Sequence, residues 1–216
     1  MAQPDSKSPY RLMVEGSDDK WTIINLLKRH QYDWEDQSKN RPYVDDVGGV
    51  EEVIRGLSAA LKTFDRLGIV LDADLQLDTR WQRICARASE LGIALPEQIE
   101  ADGLVMSLHA SKPLRFGVWL MPDNSSPGAL EGFLATLVPV DDPCWAHAGA
   151  ATTQARAIGA PLREVDQTKG TLHSWLAWQA DPGQPFGTAI NARVFDHDSS
   201  VALRFVAWFQ QLYVSE

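Results

Sequence analysis

Apolar positions along this chain alternate between short continuous runs and helix-spaced stripes. Tyr10-Arg11-Leu12-Met13-Val14 is a short run that breaks at Glu15-Gly16 and predicts a strand. Ser17, Asp18 and Asp19 then supply helix-start chemistry, and Trp21, Ile24, Leu26 and Leu27 form an apolar face lasting to about His30. The segment Gln31–Arg41 is polar and irregular. The cycle then repeats. Pro42–Val47 predicts a second strand, Gly48-Gly49 a turn, and Val53, Ile54, Leu57, Ala60, Leu61 and Phe64 recur at helical spacing. Leu67–Leu71 predicts a buried third strand running into Asp72-Ala73-Asp74. A third helix is expected from about Thr79 to Leu91, with Trp81, Ile84, Cys85 and Ala88 inward. Such alternation argues for a mostly parallel central sheet with helices on both faces. Right-handed crossovers then bring the strand ends to one rim, where Glu15, Gly48-Gly49, Asp72 and Asp74 should gather.

Beyond residue 95 the pattern changes. Gly103–Leu108 and Phe116–Met121 predict two further strands, paired as a hairpin around Ser111-Lys112-Pro113. Pro122–Gly128 is loop, Ala129–Leu137 is helical, and helices are expected over 142–158, 169–179 and 199–213. Asp181–Asp198, rich in Pro and Gly, is expected to be loop with one turn. The fold class is therefore α/β, Rossmann-like, with a helical C-terminal portion. Residues 1–9 are expected to be a disordered tail. Residues 10–216 form a single domain, with a core over about 10–140 and a helical completion over about 141–216.

Charge narrows the function classes. Twenty Lys and Arg against 29 Asp and Glu leave a net charge of −9, which argues against generic electrostatic capture of nucleic acid. A local site where a bound metal reverses the sign is still compatible with that surface. Cys85 and Cys144 are far apart and give neither a disulfide framework nor a zinc cluster. The N-terminal residues lack an apolar signal core, and no run is long enough to span a membrane, so a cytoplasmic protein without a membrane partner is expected. His30, His109, His147, His173 and His197 are scattered without metal-ligand spacing. Trp21, Trp81, Trp119 and Trp208 fall on apolar faces and are assigned to the core. Trp175 and Trp178 are expected to pack under the C-terminal element.

The candidate chemistry is carboxylate chemistry. At the carboxyl end of a strand in an open α/β sheet, Asp72 and Asp74 point the same way if extended geometry persists past Leu71. Two like charges held together are costly unless a proton or cation lies between them. Mg²⁺ is commonly held by such carboxylates. The pair is equally compatible with a solvated Asp-x-Asp turn. Glu15 and Asp19 have two readings as well: capping of a helix, with Ser17 or Asp18 as the cap and Asp19 satisfying free amides, or carboxylates facing the same opening as Asp72 and Asp74. Convergence of all four would make a route to metal-assisted phosphoryl chemistry. There is no Ser-His-Asp order, no GxSxG elbow and no Walker lysine loop.

A strand ending in Glu15-Gly16, Asp19 behind it, and a later aliphatic strand entering Asp72-x-Asp74 resemble the toprim domain of topoisomerases, primases and some nucleases. The resemblance implies a general acid or base role for Glu15 and Mg²⁺ or Mn²⁺ held by Asp72 and Asp74. Asp19 is similar to an additional acidic ligand of the OLD-type nucleases. The segments Gly117–Glu131, Trp175–Gln179, Gly187–Ile190 and Phe205–Trp208 resemble those of a poorly characterised bacterial family of standalone toprim-like proteins, so the likeness covers nearly the whole chain. It also implies a second-metal ligand at Glu131, which is otherwise an ordinary helix carboxylate. Lys169, near a helix start where the macrodipole disfavours it, is either a solvated lysine or a cation that neutralises charge on a transferring phosphoryl group.

These readings predict divalent-metal-dependent phosphodiester chemistry of the nuclease type, acting on nucleic acid or a nucleotide. The alternative is a non-catalytic toprim-like module that binds a nucleotide or a protein partner, in a defence or toxin-type system.

Overall fold

The computed structural model describes residues 6–36, 41–109 and 113–214. The first half follows the expected alternation: β1 (Tyr10–Val14), α1 (Ser17–Arg29), β2 (Tyr43–Asp46), α2 (Val50–Thr63), β3 (Arg66–Asp72) and α3 (Leu77–Ser89). A hairpin follows, β4 (Leu104–His109) antiparallel to β5 (Pro113–Met121), and β5 pairs parallel with β3. Of the turn expected around Ser111-Lys112-Pro113, residues 111 and 112 lie outside the described residues and Pro113 opens β5. The sheet runs β2-β1-β3-β5-β4, so the chain leaves β1 toward one edge and returns past it to β3. Between the carboxyl ends of β1 and β3 the winding direction reverses, and that is where an open α/β sheet forms its crevice.

Strand alternation divides the core in two. Met13, Ile69, Leu71, Val118 and Leu120 point to one face and pack with Val53, Leu57 and Leu61 of α2 and with Trp81 and Ile84 of α3. Leu12, Val14, Val70, Trp119 and Met121 point to the other face, against Ile23 and Leu27 of α1 and the C-terminal helices. These are α4 (Leu130–Ala135), α5 (Pro143–Ala157), α6 (Gln167–Leu176), α7 (Phe186–Asn191) and α8 (Ser200–Tyr213). Helix α8 lies directly on the sheet over Gly68 and Gly117, which are paired across β3 and β5. A Cβ at Gly68 would meet Tyr213 Oη at 2.6 Å, and one at Gly117 would meet Leu212 Cδ2 at 2.6 Å. Tyr213 Oη also donates a 2.5 Å hydrogen bond to the Arg11 carbonyl, which ties α8 to β1.

Several expectations need correction. Trp21 is not core: it is 41% exposed, because α7 packs against α1 and leaves the indole outside. A Cβ on Gly187 would come within 2.7 Å of the Trp21 carbonyl oxygen, so the backbones meet closely there. Trp81, Trp119, Trp175 and Trp208 are buried as expected. Trp178, however, lies past the end of α6, half-exposed beside the His147 ring at 5.3 Å. The loop expected over Asp181–Asp198 contains α7, whose Phe186, Ala189 and Ile190 are buried. The segment after α1 is less polar in its contacts than in its composition, since Tyr32 and Trp34 pack edge-on to one another and Tyr32 packs edge-on against Phe209. Of the expected tail, residues 1–5 lie outside the described residues. Residues 6–9 are tied down: Ser8 Oγ donates to the Arg41 carbonyl at 2.5 Å, and the Ser6 carbonyl accepts from Arg11 at 2.8 Å.

Candidate functional site

Parallel pairing brings the predicted rim together. The Glu15 carbonyl accepts from the Gly48 amide at 3.0 Å and the Gly49 amide at 2.8 Å, which holds the turn after β2 against the end of β1. The Glu15 side chain reaches across to β3, where Oε1 accepts from the Asp72 amide at 2.8 Å. The Val50 amide, at the start of α2, lies near this carboxylate and favours its charged form. Two strands and a helix therefore converge on Glu15. A carboxylate has about four lone-pair positions, so the bond from the Asp72 amide leaves capacity for a further partner.

Asp72 keeps the strand alternation and points to the same face as Val70. Its Oδ1 accepts from the Leu130 amide at 3.0 Å, at the start of α4. Asp19 lies one turn into α1, where Oδ2 accepts from the Gly16 amide at 3.0 Å. The helix cap is thus Gly16 rather than Ser17 or Asp18, with Asp19 satisfying its amide as the capping reading expected. Glu131 points into the same opening and pairs with Lys169 of α6 at 2.8 Å. Glu15, Asp19, Asp72, Glu131 and Lys169 together line a cleft of about 360 Å³.

Asp74 lies apart from this group. Its φ of 55° ends the extended geometry, so it does not continue the direction of Asp72. Its amide donates to the Gly128 carbonyl at 2.8 Å, its carbonyl accepts from the Gly128 amide at 2.7 Å, and its carboxylate pairs with Arg80. Asp74 lines a neighbouring cavity of about 430 Å³ that also borders Asp72, Glu131, Arg163 and Lys169.

The electrostatics are those of crowded acids. Burial, and then the charges of Glu15, Asp19, Glu131 and Asp74, push the Asp72 carboxyl up to about 8. Burial, and then Glu15, push Asp19 up to about 7. Burial likewise raises Glu15, although the Asp72 amide and Arg80 oppose it. Lys169 is raised chiefly by its hydrogen bond to Glu131. Among the described residues, no group of three or more His, Cys, Asp or Glu side chains forms a ready-made metal site, so the carboxylates surround the cleft without being closed on one point.

The chain matches, over residues 9–214, the model of a family described as "Protein of unknown function (DUF3226)". It belongs to that family. The match takes in both the acidic rim and the C-terminal helices that cover the sheet, so the DUF3226 unit coincides with the fold described above. Comparison with curated proteins and with solved structures gives no match.

Arg80 was not singled out in the sequence. It follows the Asp72-x-Asp74 run on the inward side of α3, next to Trp81. A charged residue on an apolar stripe six positions after a carboxylate was the available signal.

Proposed function

We propose that this DUF3226 protein carries out divalent-cation-dependent phosphodiester chemistry, as a nuclease-type, toprim-like protein. The observation that supports this most is the union of Glu15 and Asp72 at the winding reversal of the sheet, with Asp19 and Glu131 lining the same cleft. Donor chemistry fits a hard cation: the cleft offers carboxylate oxygens, and burial together with mutual repulsion makes their joint ionisation costly without a counter-charge. Asp72, Asp19 and Glu131 would hold Mg²⁺ or Mn²⁺, with Asp74 at the margin. The ion supplies Lewis-acid polarisation of a phosphoryl oxygen. Glu15, raised by burial and held by the Asp72 amide, would serve as a ligand or a proton-transfer group. Lys169, paired with Glu131, brings positive charge to the cleft, where it would offset charge developing on the phosphate. The substrate class is nucleic acid or a nucleotide.

A second reading is supported by the net charge of −9 and by Lys169 already being paired with Glu131. In it the same cleft belongs to a non-catalytic toprim-like module that binds a nucleotide or a protein partner, in a defence or toxin-type system. Among the described residues no helix is long and apolar enough to cross a membrane.

Two measurements test these readings. Mn²⁺ at 100 times its dissociation constant should stabilise the wild type by about 2.7 kcal/mol, and Asp72→Asn should lose that shift. Cleavage of single- and double-stranded DNA and RNA in Mn²⁺, lost in Asp72→Asn and Glu15→Gln, supports the enzyme. Mn²⁺ binding without cleavage supports the module, and no Mn²⁺ response at millimolar concentration sinks the cation site.

A further inference from the structure

We propose that Asp74 and Arg80 act as a positioning pair that aims Asp72 into the cleft, with Asp74 acting through Arg80 rather than as a cation ligand. The inference rests on the cation-site reading above and refines it.

Arg80 is only 7% exposed. Its Nε donates to the Asp72 carbonyl at 2.8 Å, and its Nη2 to the Asp74 carboxylate. One planar guanidinium therefore bridges the backbone of Asp72 and the side chain of Asp74, a geometry that its fixed fork of donors permits. Its remaining nitrogen, Nη1, is buried and has no hydrogen-bond partner among the described residues. Leaving such a donor unsatisfied is costly, and a lysine or an apolar side chain would avoid it, so packing alone does not explain an arginine here. What the arginine provides is the bridge.

Asp74 has little freedom to take another role. Both of its backbone polar groups are bonded to Gly128, its φ is left-handed, and its carboxylate is held by Arg80. Asp72, by contrast, is fixed at three points: its amide by Glu15, its carbonyl by Arg80 and its Oδ1 by the Leu130 amide. The Arg80–Asp74 pair is the support for the second of these. Supports of this kind around metal ligands typically change metal affinity about 10- to 100-fold when removed.

The test is a double-mutant cycle read by Mn²⁺ affinity in calorimetric titration, with thermal melting as the check on folding. Asp74→Asn and Arg80→Met should each weaken Mn²⁺ by about 10- to 100-fold, and the double variant should be no weaker than either single one. Arg80→Lys keeps the charge but cannot bridge both acceptors, so it should recover only part of the loss, and it replaces Arg80→Met in the cycle if that variant does not fold. If Asp74 is a direct ligand, Asp74→Asn weakens binding while Arg80→Met leaves it unchanged or tightens it, and that result overturns the pairing. Additive losses overturn it too. Absence of Mn²⁺ binding to the wild type overturns the cation site and the pairing together, which separates the two failures.

Discussion

Glu15 Oε1 and the Asp72 amide are joined by a 2.8 Å hydrogen bond that links the ends of two neighbouring parallel strands. The bond makes Glu15 a brace as well as a candidate reactive group, and the two roles separate by substitution. Glu15→Ala removes the acceptor for the Asp72 amide and should cost about 1 kcal/mol in urea denaturation. Glu15→Gln keeps an acceptor oxygen and should retain most of that stability while losing metal-dependent cleavage. Retained metal-dependent cleavage in Glu15→Gln would assign the carboxylate to the brace alone.

The pH dependence has a definite sign. Asp72 is pushed up to about 8 and Asp19 to about 7, from an ordinary value of 3.8 in the unfolded chain. Between these limits the folded protein holds more protons than the unfolded chain. Stability therefore falls as pH rises from about 4 toward about 8. Calorimetric melting of chelator-treated protein should show Tm declining from about pH 5 to about pH 8.5, and Asp72→Asn should flatten the slope. Mn²⁺ affinity should rise across the same interval, since the ion displaces the protons.

Lys169 partly neutralises Glu131 within the cleft. Lys169→Met should tighten Mn²⁺ about two- to fivefold at low salt, the modest scale expected of a partly exposed ion pair, and the gain should shrink as salt is added. The same variant should cleave more slowly if Lys169 faces the phosphate. Titration calorimetry and a single-turnover assay read the two effects separately.

Seating of α8 on the sheet depends on the glycine pair beneath it. Gly117→Ala would place a Cβ 2.6 Å from Leu212 and 3.2 Å from Trp208, and overpacking of this kind costs about 1–3 kcal/mol. Urea denaturation should show that loss, and Leu212→Ala in the Gly117→Ala background should recover part of it.

Much of the rim was legible because it depends on local pattern. Alternating strand and helix signals placed Glu15, the Gly48-Gly49 turn and Asp72 at one edge, and the parallel sheet puts them there. The hairpin of β4 and β5 was legible for the same reason. What escaped depended on long-range contact. The left-handed turn at Asp74 is fixed by Gly128, more than fifty residues away, so no local spacing signals it. Trp21 carries the periodicity of a core residue, yet α7 covers the adjacent face of α1, in a segment whose Pro and Gly content suggested loop. Arg80 stayed hidden because a helix stripe is read from its apolar members, and the reason for a cation there becomes apparent only once Asp72 and Asp74 are placed.

Tyr213 closing on the Arg11 carbonyl has a consequence for biosynthesis. When the ribosome has delivered β5 and α4, the acidic residues of the rim already exist, but the sheet face over Gly68 and Gly117 is still bare. It stays so until residue 213 has cleared the exit tunnel. The nascent chain thus carries an uncovered apolar face that chaperones would have to shield, and a product clipped before α8 should be lost to aggregation or proteolysis instead of persisting as a smaller working form.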